Sequence, residues 1–414
     1  MNAPEKLSVA QAKFLRDPGL QHVFESIEAA GGQVRINGGA VRNALLGQTI
    51  ADVDLSTTLE PPRTMEVLQR AGVKVVPTGI DHGTITAVSH GKGFEITTLR
   101  EDVTTDGRHA AVKFGSDWTA DALRRDFTFN ALYCDRHGRL YDPLNGYADL
   151  VARRIRFIGD PQARISEDRL RILRFFRFFA WYGKGRPDAE ALKACAGRKQ
   201  ELASLSAERI WHELKRLLAA PVPVRAMLWI RTAGVLDVIL PESSKWGADL
   251  VARLSGAETA LGWKHDSMLR LMAIIPPRTD LVKGLSTRLK LSNHEASRLL
   301  NWANAALADP EASSKDLARL LYGGNAAALI DRLKLERARL EGAQGSSDAA
   351  LRAAVEAKIR FAENWKRPDF PLKGEDLLAA GMAPGPPLGK ALARLEKLWI
   401  ESDFTLSRRE LLGL

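Results

Sequence analysis

The sequence predicts an α+β protein in which a small mixed α/β head is followed by a long all-helical remainder. Three observations predict it. Residues 1–150 carry short β-branched runs separated by Gly and Asp, and from about Ile165 the apolar period changes to that of helices. The charge also shifts: residues 1–150 hold 16 basic and 19 acidic side chains, and the remaining residues hold 44 and 31. With 414 residues, net charge +10, 45% hydrophobic and 27% charged residues, the chain has globular composition and room for two or three domains. No apolar run approaches the ~20 residues of a membrane span. The opening MNAPEKLSVA lacks the basic-then-apolar order of a signal peptide. Two cysteines, Cys134 and Cys195, cannot form a disulfide framework, so they are expected to be buried and inert in a reducing cytoplasm. Membrane, secreted and fibrous classes are excluded. A basic C-terminal two-thirds points to a polyanionic partner, nucleic acid first, against the plainer alternative of a solvated basic surface.

Along the chain, a helix is expected near Gln21–Ala30, ended by Gly31-Gly32, and a strand over Gln33–Asn37 that runs into Gly38-Gly39. Ala40–Leu46 reads as a helix and Ile50–Ser56 as a strand. Further strands are expected at Val73–Val76, Thr84–Ser89 and Phe94–Leu99. The helical part begins with Arg169–Tyr182, where Ser166 is a good N-cap and Leu170, Leu173, Phe176 and Phe179 form an apolar stripe. It continues through Glu208–Ala219, Pro223–Ala233, Asp266–Ile275, His294–Leu307 and Ser314–Leu321, with Pro and Gly marking the loops.

Asp52-Val53-Asp54 falls in a strand-like run, which puts both carboxylates on one face. Two such acids repel unless a cation neutralises them, and hard oxygen donors suit Mg²⁺, which also takes phosphate oxygens from a substrate. A pair of these ions activates an attacking hydroxyl and stabilises leaving pyrophosphate. Alone, Asp-x-Asp is commonly a turn or surface motif. Ten residues upstream, however, Gly38-Gly39-Ala40-Val41-Arg42 joins a strand to a helix. The glycines let backbone N–H groups approach phosphate, and Arg42 on the first turn is placed to pair with it. The combination reads as a triphosphate-plus-metal site. Asp168 and Arg171, three apart, are expected to be helical neighbours offering a carboxylate beside a guanidinium.

GGAVRN, DVDLST, RRDFTFNAL (Arg124–Leu132) and EDRLRILRFFRF (Glu167–Phe178), in that order, resemble the motifs of the class II tRNA nucleotidyltransferases. These are the CCA-adding enzymes and bacterial poly(A) polymerases of the polymerase-β-like superfamily. LREDVTTDGRHAAVKF (Leu99–Phe114) is similar to the family's flexible loop, and RLKLSN (Arg288–Asn293) and GEDLLAAGMAPGPPLGKAL (Gly374–Leu392) to its helical body and tail.

The resemblance implies a polymerase-β-like head over 1–150, a helical neck with the base template over 151–220, and a tRNA-binding body and tail over 221–414. Asp52 and Asp54 then bind Mg²⁺, while Gly38, Gly39 and Arg42 hold the triphosphate. Arg125 contacts the nucleotide and Asp126 the ribose hydroxyl, which favours NTP over dNTP. Asp168 and Arg171 read the base edge, and Arg174 and Arg177 match further nucleotide-site arginines. A carboxylate beside a guanidinium pairs with cytosine or adenine by small rotations, whereas guanine and uracil leave buried polar groups unpaired.

Glu95 is a candidate third carboxylate, with a structural role as its alternative. Asp106 and Arg108 match loop positions tied to the change from C to A addition. Asn43 stands where the family reads Asp, which removes any ionic role there. The reaction implied is template-independent addition of CMP and AMP from CTP and ATP to the tRNA 3′ end, by attack of the 3′-hydroxyl with loss of pyrophosphate.

The alternatives are a poly(A) polymerase, a partial CC- or A-adding enzyme, or a non-catalytic RNA-binding protein. The stretch TTLEPPRTMEVLQRAG lacks the basic-aromatic segment of the poly(A) polymerases. Arg153, Arg154, Arg156, Arg164 and Arg186 are candidates for RNA near the cleft. His265-Asp266 is expected to start a helix rather than bind metal.

Overall fold

The computed structural model describes residues 3–102, 112–243, 247–306, 312–342 and 346–414; Asp106 and Arg108 lie outside them. The chain divides into two compact units, 1–204 with 232–235, and 205–231 with 236–414.

Among its described residues the first unit has nine short strands: β1 (Val34–Asn37), β2 (Asp54–Thr57), β3 (Lys74–Gly79), β4 (Thr84–Ser89), β5 (Lys92–Thr98), β6 (Arg100–Asp102), β7 (Val112–Phe114), β8 (Tyr133–Cys134) and β9 (Leu140–Tyr141). Seven form one sheet in the order β3-β4-β5-β2-β1-β8-β9, and β6 and β7 pair as a separate ribbon. In the large sheet β2 and β5 run parallel and the other neighbours antiparallel. The pleat sends Leu55, Ile36, Ile85, Ala87 and Ile96 to one face, where they are buried. Helix α1 (Pro18–Ala29) buries Leu20, Val23, Phe24 and Ile27, and is capped by Asp17, which accepts from Leu20 N–H. The opposite face carries Asn37, Asp54, Ser56 and Glu95.

Helix α2 (Gly39–Leu45) follows β1 directly. Gly38 makes the turn at φ +58°, ψ −112°, a region that L side chains rarely adopt. The short helices α3 (Pro61–Arg70), α4 (Trp118–Leu123), α5 (Gly146–Val151), α6 (Pro161–Glu167), α7 (Arg171–Tyr182) and α8 (Ala189–Gly197) complete this unit.

The second unit is helical throughout its described residues. Helices 314–323, 326–339 and 346–364 share a core of Leu317, Leu321, Leu329, Leu333, Val355 and Ile359. Tyr322, Leu372, Leu377, Leu395, Trp399 and Leu411 form another core toward the C-terminal end. Among the described residues no helix is long and apolar enough to cross a membrane. The α+β expectation, a mixed-sheet head and then helices, describes what is observed.

Candidate active site

Asp54 opens β2 and stands opposite Glu95 of β5 in parallel register. The strand expected from Ile50 begins only at Asp54, because the β1 ladder on its other side ends there; Asp52 lies in the irregular segment just ahead. The pair is still one electrostatic unit. The Asp54 carboxyl sits above its ordinary pKa, first through desolvation and then through repulsion by Asp52, with Arg125 pulling it back. Glu95 is raised too, by desolvation and then by Asp54. Asp54 is thus repelled by Asp52 and in turn repels Glu95 across the strand pair. They form no closed cage: among the described residues no three His, Cys, Asp or Glu side chains are grouped to hold a metal. A carboxylate pair with solvent access fits Mg²⁺, which takes one or two carboxylates and completes its shell with water and substrate phosphate.

The raised Asp54 pKa has a stability consequence with a definite sign. A carboxyl that holds its proton more tightly folded than unfolded costs stability above its ordinary pKa, and the cost is relieved as pH falls through the raised value. In chelator at neutral pH, Asp54→Asn is expected to melt higher than the parent. The difference should vanish in acid, as followed by thermal melts across pH.

Arg42, on α2, is 7% exposed. Its Nη1 donates to Asn130 Oδ1 (2.6 Å), its Nη2 to the Tyr182 hydroxyl (2.8 Å), and its Nε and Nη2 to Asn43 Oδ1 (3.1 and 3.0 Å). Asn43 therefore holds Arg42 as a neutral acceptor, and its Nδ2 ties back to Thr49 O (2.9 Å). Burial lowers the Arg42 pKa, and the neighbouring Arg177 cation acts in the same direction. Around the ring of Phe178 three guanidiniums gather: Arg177 at 3.9 Å from its centre, Arg42 and Arg174 each at 5.3 Å. Such a concentration of delocalised cations is chemically suited to a polyphosphate.

Asp126 is buried and ion-paired with Arg174 (Nε–Oδ2 2.7 Å, Nη2–Oδ2 2.5 Å). Burial alone raises its pKa; the Arg174 charge and hydrogen bonds from Asn130, Arg174 and Phe127 N–H overcome this, and the net shift is downward. Arg125 is braced by Asp121 (3.0 Å), the Tyr133 hydroxyl (3.0 Å), Asn37 (3.0 Å) and Ser56 (3.3 Å). It therefore reaches β1 and β2 beside Asp54. Gly38 and Gly39 border the same space; a Cβ at Gly38 would come within 3.6 Å of Arg125 Nη1, and one at Gly39 within 3.7 Å of Arg42 Nη2.

The helix expected over Arg169–Tyr182 is broken at its start. Asp168 is extended (φ −147°, ψ 108°) between α6 and α7, and Ser166 is inside α6, donating to Gln162 O, so it caps nothing. Asp168 Oδ1 accepts from Leu170 N–H (3.0 Å), closing a side-chain turn just ahead of α7, whose N-cap residue, Leu170, makes no side-chain cap. Asp168 and Arg171 therefore meet across a tight turn, with Arg171 N–H on Asp168 O (3.1 Å), and not along a helical face. The Arg171 guanidinium rests on Glu167 (2.5 Å), Arg164 O (2.9 Å) and Arg124 O (3.3 Å).

Arg164, expected to face RNA, is 8% exposed and turned inward to the carbonyls of Arg124 and Arg125. Sequence reading also passed over Asn130, Tyr182 and Asp121. Asn130 falls inside RRDFTFNAL, which is the signal for it; nothing local marks Tyr182, the last residue of α7. Asp266 caps helix 267–274 as expected, accepting from Met268 and Leu269 N–H. Both cysteines are buried and unbridged, and burial pushes the Cys134 thiol up to about 12.

Residues 34–156 match the family model of the poly A polymerase head domain, and 186–246 that of a probable RNA and SrmB-binding site of polymerase A. The chain is similar to the mitochondrial CCA tRNA nucleotidyltransferase 1 of Mus musculus (34% identity, 99% of this chain, 92% of the relative). It is also similar to the CCA-adding enzyme of Levilactobacillus brevis (30%, 90% and 91%). Among solved structures, the Bacillus stearothermophilus CCA-adding enzyme in complex with CTP shares the fold at TM-score 0.70 and 24% identity, over 94% of each chain. The Thermotoga maritima CCA-adding enzyme complexed with tRNA does so at 0.69 and 18%, over 99% and 97%. With similarity of this degree running nearly end to end, the chain belongs to the family of CCA-adding tRNA nucleotidyltransferases and poly(A) polymerases.

Proposed function

We propose that this chain adds CMP and AMP from CTP and ATP to the 3′ end of tRNA, building or repairing the CCA terminus without a nucleic acid template. Relatives bearing that activity in their names support the reading across almost the whole chain. The observation that carries it is the gathering of Arg42, Arg174 and Arg177 around Phe178, together with an Asp52–Asp54 pair whose neighbouring cation is Arg125.

In this reading Asp52 and Asp54 hold Mg²⁺, with Glu95 beside them. Bound there, magnesium supplies Lewis acidity that lowers the pKa of an attacking hydroxyl and neutralises charge on departing pyrophosphate. Arg42 and Arg177 take the triphosphate, with Gly38 and Gly39 letting the main chain come close. Arg125 contacts the nucleotide from a braced position, and Asp126 accepts from a ribose hydroxyl. Asp168, on its turn, offers an acceptor and Arg171 donors to the base edge, with Arg174 alongside. Residues 1–150 act as the catalytic head, 151–220 as the neck and 221–414 as the tRNA-binding body and tail. Asp106 and Arg108 take part in the change from C to A addition. Two unbridged, buried thiols accord with the cytoplasm. Backbone contacts by the basic remainder predict an affinity for tRNA that falls with salt.

The test uses purified protein, Mg²⁺ and tRNA transcripts ending before CCA, after C and after CC, each with CTP, ATP or both. The expected result is growth of all three to a common CCA end, then a stop. Long adenosine tails would move the chain to the poly(A) polymerases, arrest at CC or refusal of CTP to a partial enzyme, and tight binding without extension to a non-catalytic role.

A further inference from the structure

Asn130 lies between two buried charged groups, Arg42 and Asp126. We infer that Asn130 is a positioning residue that locks Arg42 and Asp126 into one unit, so that nucleotide affinity and ribonucleotide selectivity are set together. The inference rests on the reading of Arg42 as the triphosphate group and Asp126 as the ribose group.

Asn130 closes the short turn that follows Asp126, with its N–H on Phe127 O (2.9 Å). Its Oδ1 accepts from Arg42 Nη1 at 2.6 Å and its Nδ2 donates to Asp126 Oδ1 at 3.1 Å. The amide orientation is dictated by chemistry, since a guanidinium only donates and an ionised carboxylate only accepts. All three residues are buried, each 7% exposed. Asp126 then continues to Arg174 through Oδ2. A single amide thus links α2, the turn after α4 and helix α7. An aspartate here would repel Asp126 and neutralise Arg42, a serine is too short to span both, and an alanine leaves two buried charges each short of a partner. The other acceptors on Arg42, Asn43 and the Tyr182 hydroxyl, are also neutral. The clamp therefore orients the guanidinium by dipoles and leaves its charge to an incoming anion.

Tyr182 separates coupling from simple support. Its hydroxyl holds Arg42 but has no hydrogen bond to Asp126. The experiment measures equilibrium binding of CTP and dCTP to the full chain, without tRNA, for the parent, Asn130→Ala, Asn130→Asp and Tyr182→Phe. Thermal melts establish folding, and the isosteric Asn130→Asp serves if the alanine variant is unstable. Expected are a loss of CTP affinity of about tenfold in either Asn130 variant and a collapse of the CTP-over-dCTP preference by a similar factor. Tyr182→Phe should weaken both nucleotides alike and keep the preference. An unchanged preference in the Asn130 variants, or an equal loss in Tyr182→Phe, overturns the inference. A parent that binds neither nucleotide defeats the reading of the site itself, and the inference with it.

Discussion

Asp54→Asn is expected to lower kcat/KM for nucleotide addition by about 10³-fold or more, with tRNA affinity within a factor of two or so of the parent. The substitution keeps the shape of the side chain and removes one anionic donor from the Asp52–Asp54 pair, so a divalent cation loses its anchorage while the basic surface is untouched. Asp52→Asn should behave alike, and the double variant should be scarcely worse than either, because the two carboxylates act as a unit. Single-turnover extension of a tRNA ending in CC, alongside filter binding, measures both quantities. Activity retained within tenfold would remove these residues from the metal site. The same Asp54→Asn protein should melt slightly higher in chelator, so lost activity with undiminished stability is the joint signature of a strained functional carboxylate.

The largest stability effect is expected in the second unit. Arg270 is fully buried in helix 267–274 and grips Glu258, itself 1% exposed, through Nη2 (2.5 Å) and Nε (3.2 Å to each oxygen). Its Nη1 donates to Leu218 O and Ala220 O, carbonyls at the end of helix 207–218 that no helical N–H can reach. Arg270→Leu takes the cation from buried Glu258, leaving it only His265 Nδ1 (3.2 Å), and strands two carbonyls, at a cost of about 3–5 kcal/mol. Urea unfolding should show a lower midpoint. Adding Glu258→Leu to that variant should restore part of the loss, since removing both charges is far less damaging than removing one. A midpoint shifted by less than about 1 kcal/mol of stability would mean that water reaches the site and satisfies Glu258.

The outline of this molecule was legible in the sequence because its signals are local. β-Branched alternation located β1, β4 and β5 to within a few residues, Gly38-Gly39 announced the turn into α2, and Asp266 was recognisable as a cap. Asp-x-Asp could be read as a metal pair because like charges two residues apart repel wherever the chain places them. What failed depended on partners. Ser166 has the chemistry of an N-cap, but helix α6 absorbs it, and α7 starts at Arg171 behind an Asp168 side-chain turn with no side-chain cap of its own. Strand β2 starts late because its neighbour β1 runs out. Arg164 looked like one more surface cation until two main-chain carbonyls, some forty residues away in sequence, claimed it.

Motif residues alone therefore determined the family, the order of the parts and the kinds of group at the site. Only the tertiary structure decided which of those groups stand together. Asn130 and Tyr182 lie 88 and 140 residues from the arginine they orient, and Arg270 lies 50 and 52 residues from the carbonyls it satisfies. Hydrogen bonds of that separation follow from how helices and strands pack, and packing depends on every buried side chain at once. Periodicity within a short window carries no record of it.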